Sequence, residues 1–275
     1  MNEYNNHLVL NRLSDYLNNE PDTINQEMIH SLTDLGIDST RAFALLLGTM
    51  LELEDQEVIM NEYIYPMVKR LDIKKYMDDL YYQRIKLEQI QGKNWEIGFD
   101  HYAPYEAFVY NDLKKVGDKL IPSIGFFEEE YRFPVIYSNH REWMLITPNE
   151  IETMKNPIEH AYGEVCTYGL GLGYFAYHVS LKQEVRSVTV IEKDQEVISL
   201  FKKFILPQFE NRQKIKIIHY DALEYAKKKK YYDYVFIDLW HDPSDGLELY
   251  HTLKKMERKD VKYDYWIEET LKCYE

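Results

Sequence analysis

The sequence predicts an α/β protein whose second half is a parallel sheet covered by helices on both faces. Three observations predict it. From Glu164 onward, short apolar β-branched runs alternate with helical segments, the pattern of strands buried on both sides. A glycine-rich turn, Gly169-Leu170-Gly171-Leu172-Gly173, joins the first of those strands to a helix. Acidic residues then stand at the ends of the next strands, where open α/β sheets bind ligands.

The elements follow in order. The first ninety residues read as successive helices. Thr23 answered by Gln26 has a capping-box form, Gly36 closes that helix, and Asp38-Ser39 caps the next. Two further helical patterns cover Val58 to Leu71, with a kink or break at Pro66, and Ile73 to Ile90. After Gly92 the period shortens, and β-type runs are expected at Ile124–Phe127, Phe133–Tyr137 and Trp143–Ile146. Ser138-Asn139-His140 suits the turn between the last two. Thr147-Pro148-Asn149-Glu150 opens a helix, with Thr147 as cap and Glu150 answering it. Strands are then expected at Val165–Tyr168, Ser187–Ile191, Ile215–Ile218 and Tyr234–Ile237. Helices are expected at Tyr174–Leu181, Gln195–Phe204 and Leu223–Lys229. Three regions result: helical 1–92, a β-rich connection over 93–160, and the sheet domain 161–275.

Composition bounds the partners. The 275 residues allow one large domain or two modest ones. Thirty-three Lys and Arg against 47 Asp and Glu give a net charge of −14, which argues against a polyanion-binding surface, so no nucleic-acid partner is expected. Lys227–Lys230 reads as a solvated helix end. Cys166 and Cys273 are too few for a disulfide framework or a cysteine zinc site, and no metal is expected. The longest uncharged apolar stretch, Ala42 to Leu51, is about half a membrane span. Met1–Asn6 lacks the basic-then-apolar pattern of a signal peptide. The expectation is a cytoplasmic protein without a membrane partner. The helices of residues 1–90 suit a lid, a dimer surface or a substrate-selecting domain, so a homodimer stands as one option.

The candidate site gathers at the strand ends. Thr167, Gly169, Gly171 and Gly173 let the backbone approach a ligand at a helix N-terminus. Glu192 follows the second strand and suits both ribose hydroxyls. Asp221-Ala222 follows the third, where an acid can take an adenine amino group. Asp238 ends the fourth, beside the gap where a reacting group would lie. An adenosine-type ligand across this edge is the combined reading.

Val165 to Gly246 resembles the class I S-adenosylmethionine-dependent methyltransferases, with Gly169, Gly171, Gly173, Glu192, Asp221 and Asp238 at the positions of that family's motifs. The resemblance implies a Rossmann-like class I methyltransferase sheet of seven strands with a reversed last hairpin. The length left after Gly173 suggests that its C-terminal strands are trimmed, with Tyr263–Ile267 as one later strand. Within that superfamily the chain is most similar to the spermidine synthases. Ile191-Glu192-Lys193-Asp194 and the run Tyr232–Asp238 followed by Asp242-Pro243 carry the likeness. That resemblance implies that Asp238 and Asp242 bind an amine and help deprotonate it.

Three departures stand beside it, one of them the long helical start. Leu172 occupies the place of the family's loop aspartate, and three residues separate Asp238 from Asp242, one more than in the family pattern. These turn the main expectation to methyl transfer from S-adenosylmethionine to a small-molecule acceptor. Asp238, His241 and Asp242 are the candidate bases. The alternative is aminopropyl transfer from decarboxylated S-adenosylmethionine to a cationic amine, with Trp240 offering a cation–π face or plugging the core. A third reading is a nucleoside-binding module without catalysis.

Overall fold

The computed structural model describes residues 2–138 and 141–274. Twelve strands among the described residues are labelled in chain order: β1 (Val68–Arg70), β2 (Ile90–Gln91), β3 (Trp95–Tyr102), β4 (Phe108–Val116), β5 (Lys119–Phe126), β6 (Tyr131–Ser138), β7 (Arg141–Leu145), β8 (Gly163–Tyr168), β9 (Val185–Glu192), β10 (Ile215–His219), β11 (Tyr234–Ile237) and β12 (Lys262–Tyr265). The chain divides into two compact units. One comprises residues up to Tyr76 with Asp100–Phe133; the other comprises Met77–Phe99 with the chain from Pro134 onward.

In the first unit, helices Asn2–Asn19, Gln26–Thr33 and Ser39–Met50 bury Val9, Leu13, Ile29, Phe43 and Leu47 in one core with Ile124 and Phe126 of β5. Phe43 stacks on Phe126 with ring centroids 4.2 Å apart. Buried Asn6 satisfies three polar groups there: its Oδ1 accepts from the Tyr63 hydroxyl (2.9 Å) and the Leu120 amide (3.1 Å), and its Nδ2 donates to the Asp118 carbonyl (2.8 Å). The sheet of this unit has the order β1-β5-β4.

The helical reading of this region needs three corrections. The cap of Gln26–Thr33 is Asn25, whose Oδ1 accepts from the Met28 amide, while the Thr23 hydroxyl donates to the Glu20 carbonyl. Asp38, by contrast, caps Ser39–Met50 as expected. The pattern from Val58 stops being helical after Met67, because Val68–Arg70 pairs in parallel with Ile124–Phe126 of β5. The single helix expected over Ile73 to Ile90 is two short ones, Ile73–Met77 and Leu80–Arg84. Between them Asp79 turns its side chain to accept from the Tyr81 amide.

In the second unit, β2 pairs antiparallel with β3, and β6 pairs antiparallel with β7. The turn expected at Asn139-His140 lies outside the described residues. Thr147 caps the helix Pro148–His160 with both halves of the capping box in place. Beyond it lies the predicted parallel sheet, in the order β10-β9-β8-β11-β12. The fold class is therefore as expected, a mixed α/β chain with a parallel Rossmann-like sheet behind a helical start. Of the seven strands implied by the resemblance, five form this sheet among the described residues, and all their pairings are parallel. Strand order reverses between β8 and β11, the switch point at which ligands of such sheets bind.

Candidate functional site

A cleft of about 310 Å³ opens over the carboxyl ends of these strands. Its floor is the glycine turn. The Gly169 amide donates to the Ile191 carbonyl of β9 (3.0 Å), and the Asp238 amide donates to the Tyr168 carbonyl of β8 (2.9 Å), so the turn is sewn to the strands on either side. Gly169 has φ +98°, and a Cβ there would stand 2.0 Å from the Asp238 carbonyl oxygen; no other residue fits. Gly171 has φ +53° and only open space where a Cβ would point, so the backbone is exposed to whatever enters the cleft.

Glu192 holds the turn in place. Its side chain is buried at the end of β9, and it accepts hydrogen bonds from the Leu170 amide (3.2 Å) and the Asp194 amide (2.8 Å). Burial pushes its carboxyl above the usual range, and these backbone bonds oppose the shift. A carboxylate has about four lone-pair positions. Glu192 therefore keeps acceptor capacity for ligand hydroxyls.

Asp221 caps the helix Ala222–Ala226 by accepting from the Glu224 amide (2.9 Å). It lines the cleft beside buried Ala222. Thr167 is buried beneath the glycine turn and also reaches the cleft wall. Asp238 is half-buried at the end of β11, and its carboxyl is pushed up to about 7 by burial and then by the nearby charges of Glu150 and Glu192. His241 lines the cleft mouth with its ring exposed and its Nδ1 3.2 Å from Asp245.

Asp242 has another position. Its carboxylate accepts from the Ser244 amide (2.7 Å) and Ser244 hydroxyl (2.5 Å) and forms a capping box with Asp245 at the start of the helix Pro243–Lys254. Those bonds hold its carboxyl below the usual range, and it is not among the cleft-lining residues. Trp240 is both wall and core: its Nε1 donates to the Trp266 carbonyl (3.2 Å), and its ring lies parallel to Tyr265.

The structure adds cleft residues that the sequence reading did not single out. Glu150 lines the cleft, as do Trp143, Leu145, Met154 and Trp266. Its capping motif was legible, but nothing in that motif said which way the carboxyl faces. Residues 79–84 add a brace. The Tyr81 hydroxyl donates to the Leu172 carbonyl (2.6 Å), the Tyr174 hydroxyl donates to Asp79 (2.9 Å), and the His178 ring lies 3.1 Å from Asp79. Burial opposes ionisation of Asp79, but the His178 and Tyr174 contacts more than offset it and hold the carboxyl below its ordinary value.

With this geometry in hand, comparison with known proteins identifies the segment. Residues 159–261 match the spermine/spermidine synthase domain. The match covers more than a third of the chain and contains the glycine turn, Glu192, Asp221 and Asp238. It puts this segment in the spermidine synthase-like branch of the class I fold. It also corrects the main expectation: methyl transfer is overturned by this match, which favours the aminopropyl alternative.

Several solved structures are similar to part of the chain. The spermidine synthase from Thermotoga maritima is 18% identical over 49% of this chain and 53% of its own, with a TM-score of 0.36. A spermidine synthase in complex with the transition-state analogue AdoDATO is 18% identical over 49% and 52%, with a TM-score of 0.34. Precorrin 8w decarboxylase from Methanobacterium thermoautotrophicum is 20% identical over 39% and 56%, with a TM-score of 0.30. The chain thus spans about half the length of these proteins. No curated protein matches it.

The brace gives a prediction for the spermidine synthase-like domain. Tyr81→Phe leaves the buried Leu172 carbonyl without its donor, at a cost of about 1–3 kcal/mol. Urea unfolding should show that loss, and unchanged stability would mean that residues 79–84 do not support the glycine turn.

Proposed function

We propose that the cleft binds decarboxylated S-adenosylmethionine and directs its aminopropyl group to a small cationic amine. The observation that carries the reading is the match of residues 159–261 to the spermine/spermidine synthase domain. The donor set suits it. In this reading Glu192 takes the ribose hydroxyls, Asp221 and Ala222 lie at the adenine end, and Thr167 with the glycine turn Gly169, Gly171 and Gly173 cradles the body of the nucleoside. Such a donor supplies an already activated carbon beside a sulfonium, so the protein's task is to align the partners and exclude water.

The acceptor must be a neutral amine, although it arrives as an ammonium. Asp238 is placed to accept that proton: it faces the cleft, and its carboxyl is held up to about 7, within range of a base at neutral pH. Its carboxylate also attracts the cation before the proton moves. His241 at the mouth is suited to pass the proton to solvent, with Asp245 orienting its ring. Asp242 serves this reading by fixing the start of the helix Pro243–Lys254 and hence the loop that follows Asp238. Neither a nucleic acid nor a membrane surface is needed as partner. Among the described residues no helix is long and apolar enough to cross a membrane.

Incubation of the full chain with decarboxylated S-adenosylmethionine and a set of di- and triamines should yield 5′-methylthioadenosine, detected by mass. Failure to form it with every amine, while the donor binds, would sink the catalytic reading. The pH profile follows from Asp238. A raised carboxyl stays protonated, and so inactive as a base, until the pH reaches about 7. The ratio kcat/KM should therefore climb between roughly pH 6 and 8 and fall away on the acid side. Asp238→Asn should lower kcat by roughly 10²-fold or more and flatten that limb. An unaltered profile in the variant would remove Asp238 from the base role.

A further inference from the structure

We propose that Glu150 selects the donor, its carboxylate favouring an aminopropyl arm that ends in an ammonium over an arm that also bears a carboxylate. The inference rests on the aminopropyl-transfer reading and extends it to a residue outside the matched segment.

The cleft-lining acids divide by what they already hold. Glu192 is held by the amides of Leu170 and Asp194 and keeps its remaining acceptor capacity for the ribose hydroxyls, and Asp221 is an exposed helix cap. Glu150 and Asp238 remain. Glu150 is placed by its own helix: the Thr147 amide donates to its Oε2 (2.8 Å), and the Thr147 hydroxyl bonds the same oxygen. Both contacts fall on one oxygen, so the carboxyl is held in a single orientation. Glu150 and Asp238 line the same cleft, and after burial the Glu150 charge is the main influence that raises the Asp238 carboxyl, ahead of Glu192.

The surroundings sharpen the effect. Trp143, Leu145, Met154, Leu172 and Trp266 give the cleft apolar walls. Charges there are poorly screened. Two carboxyls that share such a space repel, and burial already pushes Glu150 above its ordinary range. A cation between them relieves both. A carboxylate brought into the same space meets like charge from two sides, the repulsive element by which a site rejects a near-identical ligand. Decarboxylated S-adenosylmethionine differs from S-adenosylmethionine by that one carboxylate. The glycine turn supplies no charge of its own at Leu170, Leu172 or the glycines, so the discrimination falls to Glu150 with Asp238.

Calorimetric titration of the full chain with three nucleosides tests this. Decarboxylated S-adenosylmethionine carries the ammonium, S-adenosylmethionine carries the ammonium and the carboxylate, and 5′-methylthioadenosine carries neither. The wild type should prefer the first over the second by about tenfold or more, and Glu150→Gln should lose most of that preference. The amide can still accept from the Thr147 amide, so affinity for 5′-methylthioadenosine should stay within about twofold. Glu150→Asp should keep the preference in part. Equal weakening of all three ligands in Glu150→Gln would make Glu150 a helix cap only and overturn the inference.

The wild type provides a second reading that needs no variant. Titrations in buffers of different ionisation heat should show protons released on binding decarboxylated S-adenosylmethionine and not on binding 5′-methylthioadenosine. Equal release with both would also overturn the inference. If wild-type enzyme makes 5′-methylthioadenosine from donor and amine while showing no donor preference, the role of Glu150 fails and the function stands. If it binds none of the nucleosides, the functional reading fails, and the role of Glu150 fails with it.

Discussion

Two backbone amides, those of Leu170 and Asp194, converge on the buried carboxylate of Glu192, and the site depends on that convergence. An ionised group out of water costs several kcal/mol unless hydrogen bonds replace its hydration. Charge-assisted bonds from N–H groups do so here, and in doing so they fix the glycine turn against the end of β9. The seam continues across the sheet. The amide of Gly169 binds the carbonyl of Ile191, the amide of Asp238 binds that of Tyr168, and the Asp238 carbonyl packs where Gly169 lacks a Cβ. Displacing any of these would move Asp238, and with it the charge that faces the cleft.

The overall charge of −14 says little about chemistry until the acids are placed. Most acidic side chains are solvated or paired at the surface, as Asp260 is with Arg258 and Glu224 with Lys227. Glu150, Glu192 and Asp238 differ because they share one partly desolvated space and each is pushed toward its protonated form. A cationic ligand entering that space gains from all three, whereas an anionic one is opposed. Asp242, whose carboxylate is taken up by the bonds that cap its helix, is held below its ordinary range instead and does not contribute in the same way.

The second unit was the more legible in the sequence because its signals are strong and local. Runs such as Val188-Thr189-Val190-Ile191 are buried strand and little else, and the helix Tyr174–Leu181 follows its glycine turn at the predicted residues. Where contacts remote in sequence decide, the reading faltered. Val68–Arg70 continues a helical pattern but is drawn into a sheet by pairing with β5, and β3 and β4 carry charged residues that blur their alternation. Asp242 illustrates a subtler ambiguity. An aspartate followed by Pro243 and by Asp245 is a helix start as well as an amine-binding motif, and the cap is what its hydrogen bonds satisfy. Leu172 weighed toward methyl transfer because the loop lacks a carboxylate. Glu150 supplies one to the same cleft from the helix that precedes β8, which no motif within the loop could reveal.

The account turns on Glu192 acting both as the anchor of the glycine turn and as the ribose acceptor. Its most direct test is the calorimetric affinity of Glu192→Ala for 5′-methylthioadenosine, a nucleoside that makes no demand on Glu150 or Asp238. The account predicts weakening by about 1–3 kcal/mol, roughly five- to 150-fold, as the charge-assisted bonds are lost. An affinity equal to that of the wild type, in a variant that remains folded, would contradict it.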